Sequence, residues 1–285
     1  MTSSLNVKAT LVSLLILVLT VGLWYAATLP RAGSGTAGMT AEQIEYQKML
    51  GKDPGAAKTG GFPTPAQMGE TIWKHVSNPV YDNGPNDKGI LIQLAYSLGR
   101  VGLGFLLACI VAVPLGFVIG MSPLLSRAFD PFIQVLKPIS PLAWMPLALY
   151  TIKDSSASGV FVIFICSIWP MLINTAFGVA SVRRDWLNVA LTLEVSPLRK
   201  AFRVILPAAA PTILTGMRIS MSIAWLVIVA AEMLVGGTGI GYFVWNEWNN
   251  LSLTNVIFAI GVIGVVGMLL DLVFGQLQKW VTYVE

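Results

Sequence analysis

The sequence predicts an all-α, polytopic membrane protein with six transmembrane helices. Three observations carry this. Hydrophobic residues make up 55% of the 285 and charged residues only 11%, against about 25% charged in an average soluble domain. The apolar residues fall in long runs, and roughly 20 such residues suffice to span a bilayer as a helix. The charges collect in the segments between those runs. A soluble domain of this length would need more charge to cover its surface. The same placement argues against nucleic acid as the reason for the net charge of +4.

The first run extends from about Ala9 to Leu29, with Lys8 before it and Arg31 after it. It exceeds the 7–15 residue apolar region typical of a cleaved signal peptide, so it is read as a retained span, residues 1–29. A polar segment, 30–89, follows. It holds six Lys/Arg and six Asp/Glu and is punctuated by turn signals such as Gly60-Gly61 and Asn83-Gly84-Pro85. A short helix over Ala41–Leu50, capped by Thr40, is expected within it. Residues 90–285 form a five-helix core. Its apolar segments are Ile90–Met121, Asp130–Ile152, Ser158–Ser181, Ala208–Gly236 and Leu253–Val281. The longest exceed the hydrocarbon thickness and must tilt or run past the interface.

Orientation follows from Lys and Arg in short connections. Between the fourth and fifth spans stand Arg183, Arg184, Arg199, Lys200 and Arg203 against Asp185 and Glu194. That loop is expected in the cytoplasm. Six spans then place both termini in the cytoplasm and 30–89 outside. Trp24, Tyr25, Tyr242, Trp245, Trp248, Trp280 and Tyr283 lie near span ends, as interfacial anchors do.

Several chemistries are disfavoured. Cys109 and Cys166 lie in apolar runs without a His or carboxylate cluster, and His75 is the sole histidine, so neither zinc chemistry nor a catalytic triad is indicated. No Gly-x-x-x-x-Gly-Lys-Ser/Thr loop is present, so ATP is not expected to bind this chain. The Gly237-Thr-Gly-Ile-Gly241 stretch has no strand before it and is read as a turn after the fifth span. Gly116-x-x-x-Gly120 suits close helix packing.

The cytoplasmic segment 183–207 reads as two short helices meeting at a turn. Ser196 is placed to cap the second, and Pro197 suits its first turn. Leu198, Phe202 and Ile205 fall on one face, with Arg199, Lys200 and Arg203 toward another. Pro207 is expected to end that helix before the fifth span. Physically the segment is either a docking surface for a partner or a basic loop that only fixes topology.

Its spacing resembles the coupling loop of ABC importer permeases, whose pattern is Glu-Ala-Ala, three residues, Gly, nine residues, Ile-x-Leu-Pro. Here Asn188-Val189-Ala190 occupies the first part, Glu194 the glycine position and Val204-Ile205-Leu206-Pro207 the end. Asn188 and Glu194 depart from the pattern. A turn that needs a left-handed residue would cost about 1–2 kcal/mol more with Glu than with Gly. Ser97-Leu-Gly-Arg-Val101, Gly104-Phe-Leu-Leu-Ala108, Val113-Pro-Leu-Gly116, Asp130-Pro131, Leu172-Ile-Asn-Thr175 and Gly236-Gly-Thr-Gly-Ile-Gly-Tyr242 resemble the nitrate/sulfonate/bicarbonate branch. Asn78-Pro-Val-Tyr-Asp-Asn-Gly-Pro-Asn-Asp-Lys-Gly89 is similar to the cyanobacterial nitrate or bicarbonate permeases within it. The likeness runs from about Phe62 to the C-terminus and is weakest over the first 60 residues.

The resemblance implies a type I ABC importer permease fold in an inner membrane. It implies a homodimeric pore, two cytoplasmic ATPase subunits gripping the coupling loops and carrying ATP and Mg, and an outside solute-binding protein. It implies ATPase coupling through Asn188, Val189, Ala190, Glu194, Ser196, Pro197, Arg199, Lys200, Arg203, Leu206 and Pro207. It implies nitrate, or another small anion such as bicarbonate, as cargo.

Ionisable residues inside spans are functional hypotheses because they are costly there. Arg100, Lys137 and Arg218 are the pathway candidates, since an anion must exchange its water for cationic or amide donors. The bland alternatives are a snorkelling Lys137 and pairing of Arg100 and Arg218 with Glu232 or Asp271. Gln134, Trp144 and Asn174 are weaker candidates. A stand-alone secondary transporter would instead need an ion gradient and no ATPase.

Overall fold

The computed structural model describes residues 2–28, 40, 42, 45, 62–84 and 87–281, without the side chains of 2–6. The expected helix over Ala41–Leu50 lies almost wholly outside them, as does Tyr283. The chain forms two compact units, Met1–Asn78 with Asn250–Phe258, and Pro79–Asn249 with Ala259–Glu285.

In the first unit, helix α1 (Thr2–Thr28) is apolar all round. Leu11, Leu15, Leu17 and Leu19 are all exposed, which only a lipid solvent rewards. Trp24 Nε1 donates to Pro63 O at 3.0 Å. Helix α2 (Pro65–Ser77) starts with a capping box, Thr64 and Gln67 each bonding the other's backbone, and with Pro65 in the first turn. Its buried face holds Met68 and His75. The His75 ring stacks on Phe258 with centroids 4.7 Å apart.

The second unit carries the core. A loop with an antiparallel bridge between Asp82 and Lys88 leads into α3 (Ile90–Met121), whose 32 residues reach about 48 Å. Helices α4 (Pro123–Leu136) and α5 (Pro141–Ile152) follow, then α6 (Ser155–Ala180). The segment continues as α7 (Arg184–Thr192), α8 (Pro197–Lys200), a π turn (Ala201–Ile205) and α9 (Leu206–Val235). Helices α10 (Ile240–Asn249) and α11 (Leu253–Val281) complete it, the first residues of α11 belonging to the other unit.

Small residues set the close packing of α3 on α6. A Cβ on Gly104 would meet Ile163, and one on Gly116 would come 2.7 Å from Leu172 O. One on Gly120 would overlap Ala176 O. Ala108 and Ala112, between them, are fully buried. The i, i+4 stripe thus brings two backbones together, where packing rather than a hydrophobic drive holds helices in lipid. Helix α6 also packs on α9, through Gly178 of α6 against Thr212 and Gly216 of α9 against Asn174, and Ser220 Oγ donates to Ser167 O at 2.7 Å.

Among the described residues, five helices are long and apolar enough to span, and α4 with α5 makes up to six if that bent pair counts as one. The expected continuous span over Asp130–Ile152 is corrected. The element starts earlier, at Pro123, and bends by 90° between α4 and α5. Ser140, before Pro141, takes the extended backbone that a pre-proline residue prefers and caps α5 through Leu142 N. Pro207 does not end a helix either: the chain is helical from Pro197 to Val235. The π turn just before Pro207 widens the backbone where the proline ring would strike the Arg203 carbonyl.

Candidate functional site

Four features carry charge or exposed apolar surface. The first is a buried knot at one end of α3 and α9. Glu232 is 4% exposed. Its carboxylate accepts from Arg100 at 2.7 Å, from Ser97 Oγ at 2.8 and 2.9 Å, and from Gly241 N at 3.0 Å. Arg100 also donates to Thr238 O at 2.7 Å and to Ser156 Oγ at 3.0 Å. Gln93 and Ser97 accept from Gly239 N and Ile240 N. The 236–241 loop is therefore clamped onto α3 and α9, with Gly236 and Gly237 at positive φ where glycine alone is unstrained. A Cβ at Gly239 or Gly241 would overlap Glu232 or Val229.

The second is a bidentate pair. Arg218 Nε and Nη2 donate to the two Asp271 oxygens at 2.6 and 2.5 Å, joining α9 to α11. Both side chains are about 40% exposed, at 39% and 42%. Arg100 and Arg218 are thus each neutralised by a partner.

The third is Lys137, at the end of α4 where the bent span breaks. It is exposed and has no ion pair or hydrogen bond of its ammonium among the described residues. It borders two cavities. One, of about 540 Å³, lies beside Ser122, Ser126, Asp130 and Gln134; Gln134 is engaged by Asp130 at 2.8 Å. The other, of about 190 Å³, lies beside Trp144 and Trp169. Asn174 is occupied by Pro170 O at 2.8 Å.

The fourth is the segment 183–207. Glu194 has φ +49°, so the turn does require the left-handed conformation. Its closure uses Glu194 N to Leu191 O and Val195 N to Ala190 O, both at 3.0 Å. Pro197 occupies the first turn of α8 as expected, but Ser196, at the cap position, makes no side-chain cap bond. The expected face of Leu198, Phe202 and Ile205 is split. Ile205 is buried with Val179, Ala209 and Ile213, whereas Leu198 and Phe202 are 74% and 66% exposed. The π turn rotates Phe202 off the buried face. Leu198 and Phe202 join exposed Trp186, Val189, Leu191 and Leu193 among the cations Arg199, Lys200 and Arg203. Asn188 keeps a structural role, its carbonyl accepting from Thr192 Oγ1 at 3.0 Å. Ala190 is buried, and Leu206 and Pro207 open α9.

Sequence reasoning missed Gln93 and Ser97 as partners. The signal was available: Gln93, Ser97 and Arg100 recur at i, i+4 and i+7, one polar stripe on an otherwise apolar helix.

Apolar helices packed on small residues, a span broken at a cation and an exposed amphipathic segment continuous with a spanning helix are the features of a membrane permease subunit. Residues 112–283 match the family of binding-protein-dependent transport system inner membrane components, and the chain belongs to that family. It is 44% identical to the nitrate import permease NrtB of Synechocystis sp. over 79% of this chain and 82% of that one. It is 45% identical to NrtB of Leptolyngbya laminosa over 74% of this chain and 76% of that one. It is 44% identical to the bicarbonate permease CmpB of Synechocystis sp. over 70% and 72%. Its fold is that of the permease chain of an inward-facing MetNI methionine ABC transporter, with a TM-score of 0.61 and 12% identity over 68% of this chain and 96% of that one. The chain is thus a multi-pass inner-membrane ABC importer permease, a transport subunit and not an enzyme.

Proposed function

We propose that this chain is the permease of an ATP-driven nitrate importer and that Lys137 lines its path. The observation that carries the reading is the contrast among the intraspan cations. Arg100 and Arg218 hold carboxylates, while Lys137 stands unpaired at a helix break beside two cavities. At about 4 Å and an effective dielectric of 20, one cation attracts an anion by about 4 kcal/mol, enough to offset part of its lost hydration. The relatives named as nitrate permeases support the cargo. Arg100 and Arg218 then act as struts beside the path rather than as ligands.

In this reading two copies of the chain form the pore, both termini and segment 183–207 face the cytoplasm, and residues 30–89 face outward with a solute-binding protein. The coupling residues, Asn188 through Pro207, seat in two ATPase subunits that bind ATP and Mg; the permease binds no cofactor of its own. Because helix runs unbroken from Pro197 to Val235, displacement of the coupling segment moves α9 as a rod and reorients the pore.

A second reading, bicarbonate as cargo, is favoured by the 44% identity to the CmpB permease. Uptake of labelled nitrate and labelled bicarbonate, in cells lacking the chain and in cells with it restored, separates the two. Rescue of nitrate uptake, with Lys137→Ala reducing it about ten-fold or more and Lys137→Arg retaining most of it, supports the proposal. Rescue of bicarbonate uptake alone selects the second reading. Full nitrate uptake by Lys137→Ala removes Lys137 from the path.

A further inference from the structure

Four of the nine tryptophans are buried or half-buried, and they fall into two groups. Trp225 is buried and Trp24 half-buried, and each indole N–H donates to a carbonyl, Ile263 O and Pro63 O, both at 3.0 Å. That is the rule for an inserted tryptophan, whose one donor is costly to leave unmet. Trp144 and Trp169 are also half-buried, yet neither N–H has a protein acceptor among the described residues. Both line the same 190 Å³ cavity, together with Lys137. Trp169 lies near the middle of α6 and Ile223, on the opposite wall, near the middle of α9, so the cavity sits at mid-span. The volume matches roughly six waters at about 30 Å³ each.

We infer that Trp144, Trp169 and Lys137 form a station for a small oxyanion with three oxygen acceptors. Two indole N–H groups and one ammonium supply three donor groups that no protein acceptor among the described residues occupies. The remaining lining is Ile139, Pro141, Cys166, Pro170 and Ile223, which is apolar but for one thiol. Such walls strengthen each charge-assisted bond, while the absence of a fixed carboxylate in the lining avoids repulsion. Nitrate and bicarbonate both meet the description. A neutral or cationic solute would leave the ammonium unmatched. The inference rests on the anion-import reading and adds to it which tryptophans hold the cargo and where.

The test uses the assembled transporter, permease with its ATPases, carrying Cys109→Ser so that Cys166 in the cavity wall is the permease's sole thiol. Labelling of Cys166 by a small methanethiosulfonate is followed with nitrate, bicarbonate or chloride present, and nitrate uptake is measured in parallel. The station predicts that nitrate or bicarbonate slows labelling several-fold more than chloride does. It predicts that Trp144→Phe and Trp169→Phe, which keep the ring and remove the donor, abolish that protection. Each should cut nitrate uptake roughly ten-fold, the loss expected of a hydrogen bond to a charge. Labelling that ignores all three anions, with full uptake by both phenylalanine variants, overturns the station while leaving nitrate import intact. Protection by bicarbonate alone, in cells whose nitrate uptake does not depend on the chain, retains the station and refutes the nitrate reading.

Discussion

Replacing Glu232 by Gln tests whether the buried knot holds α3 and α9 together. The substitution keeps shape and one oxygen but removes the charge. In the structure the carboxylate receives Arg100, Ser97 and Gly241. An amide cannot accept at both ends, so its NH2 faces a donor. Removing one partner of a buried pair costs about 3–5 kcal/mol. Arg100 keeps Thr238 O and Ser156 Oγ, which places the expected loss at the low end, about 3 kcal/mol. For a chain of this size about 2 °C of melting temperature accompanies each kcal/mol, so a fall on the order of 6 °C is expected. The assay is thermal melting of the purified permease–ATPase assembly in detergent, with Arg100→Gln and the double variant completing a cycle. The double variant should lose about 1–3 kcal/mol less than the sum of the singles. A Glu232→Gln protein melting within about 1 °C of wild type, with additive singles, would refute the reasoning, since a largely desolvated guanidinium stripped of its counter-charge cannot be that cheap.

Three further outcomes follow from local geometry. Gly116→Val drives a side chain against Leu172 O and Thr175 and should destabilise the assembly by about 1–3 kcal/mol through overpacking, read in the same melt; an unchanged melt would deny the close α3–α6 contact. Glu194→Gly relieves a left-handed residue at φ +49°, a gain of about 1–2 kcal/mol less about 0.4–1 for added unfolded-state freedom. The melt should rise by about 1–2 °C, and Glu194→Ala should not reproduce it. In the loop before α3, Gly84 N–H and then Lys88 hold the Asp82 carboxyl below its ordinary value of 3.8. A depressed folded-state value means the stabilisation is present above 3.8 and fades as pH falls through the lower folded value. The melting difference between wild type and Asp82→Asn should therefore be constant near neutrality and shrink in strong acid.

Much of the architecture was legible because lipid imposes a simple code. Five of the six long apolar runs became helices long enough to span, and Gly116 and Gly120 packed closely as their spacing suggested. The left-handed turn at Glu194 followed from one non-glycine residue standing where the family pattern has glycine. The misses share a cause: proline effects depend on what surrounds them. Pro207 was read as a stop, but a π turn absorbs it. Asp130–Ile152 was read as one apolar segment, and the chain instead turns by 90° between α4 and α5, at Pro138 and Pro141. Ser196 sits in the right place to cap, yet its side chain makes no cap bond.

The sequence by itself determined the solvent, most of the segments that cross it, the basic segment 183–207 and the short roster of intraspan charges. Those depend on composition and on neighbours a few residues apart, which a single chain displays. Only the tertiary structure decided what each charge does. Arg100 meets Glu232 across 132 positions and Arg218 meets Asp271 across 53, while Lys137 meets neither. The same fold decided which tryptophans found a carbonyl and which two were left facing a cavity. Pairing at that range depends on which helix faces lie together, and helix packing sets those faces through the glycines and prolines of distant segments.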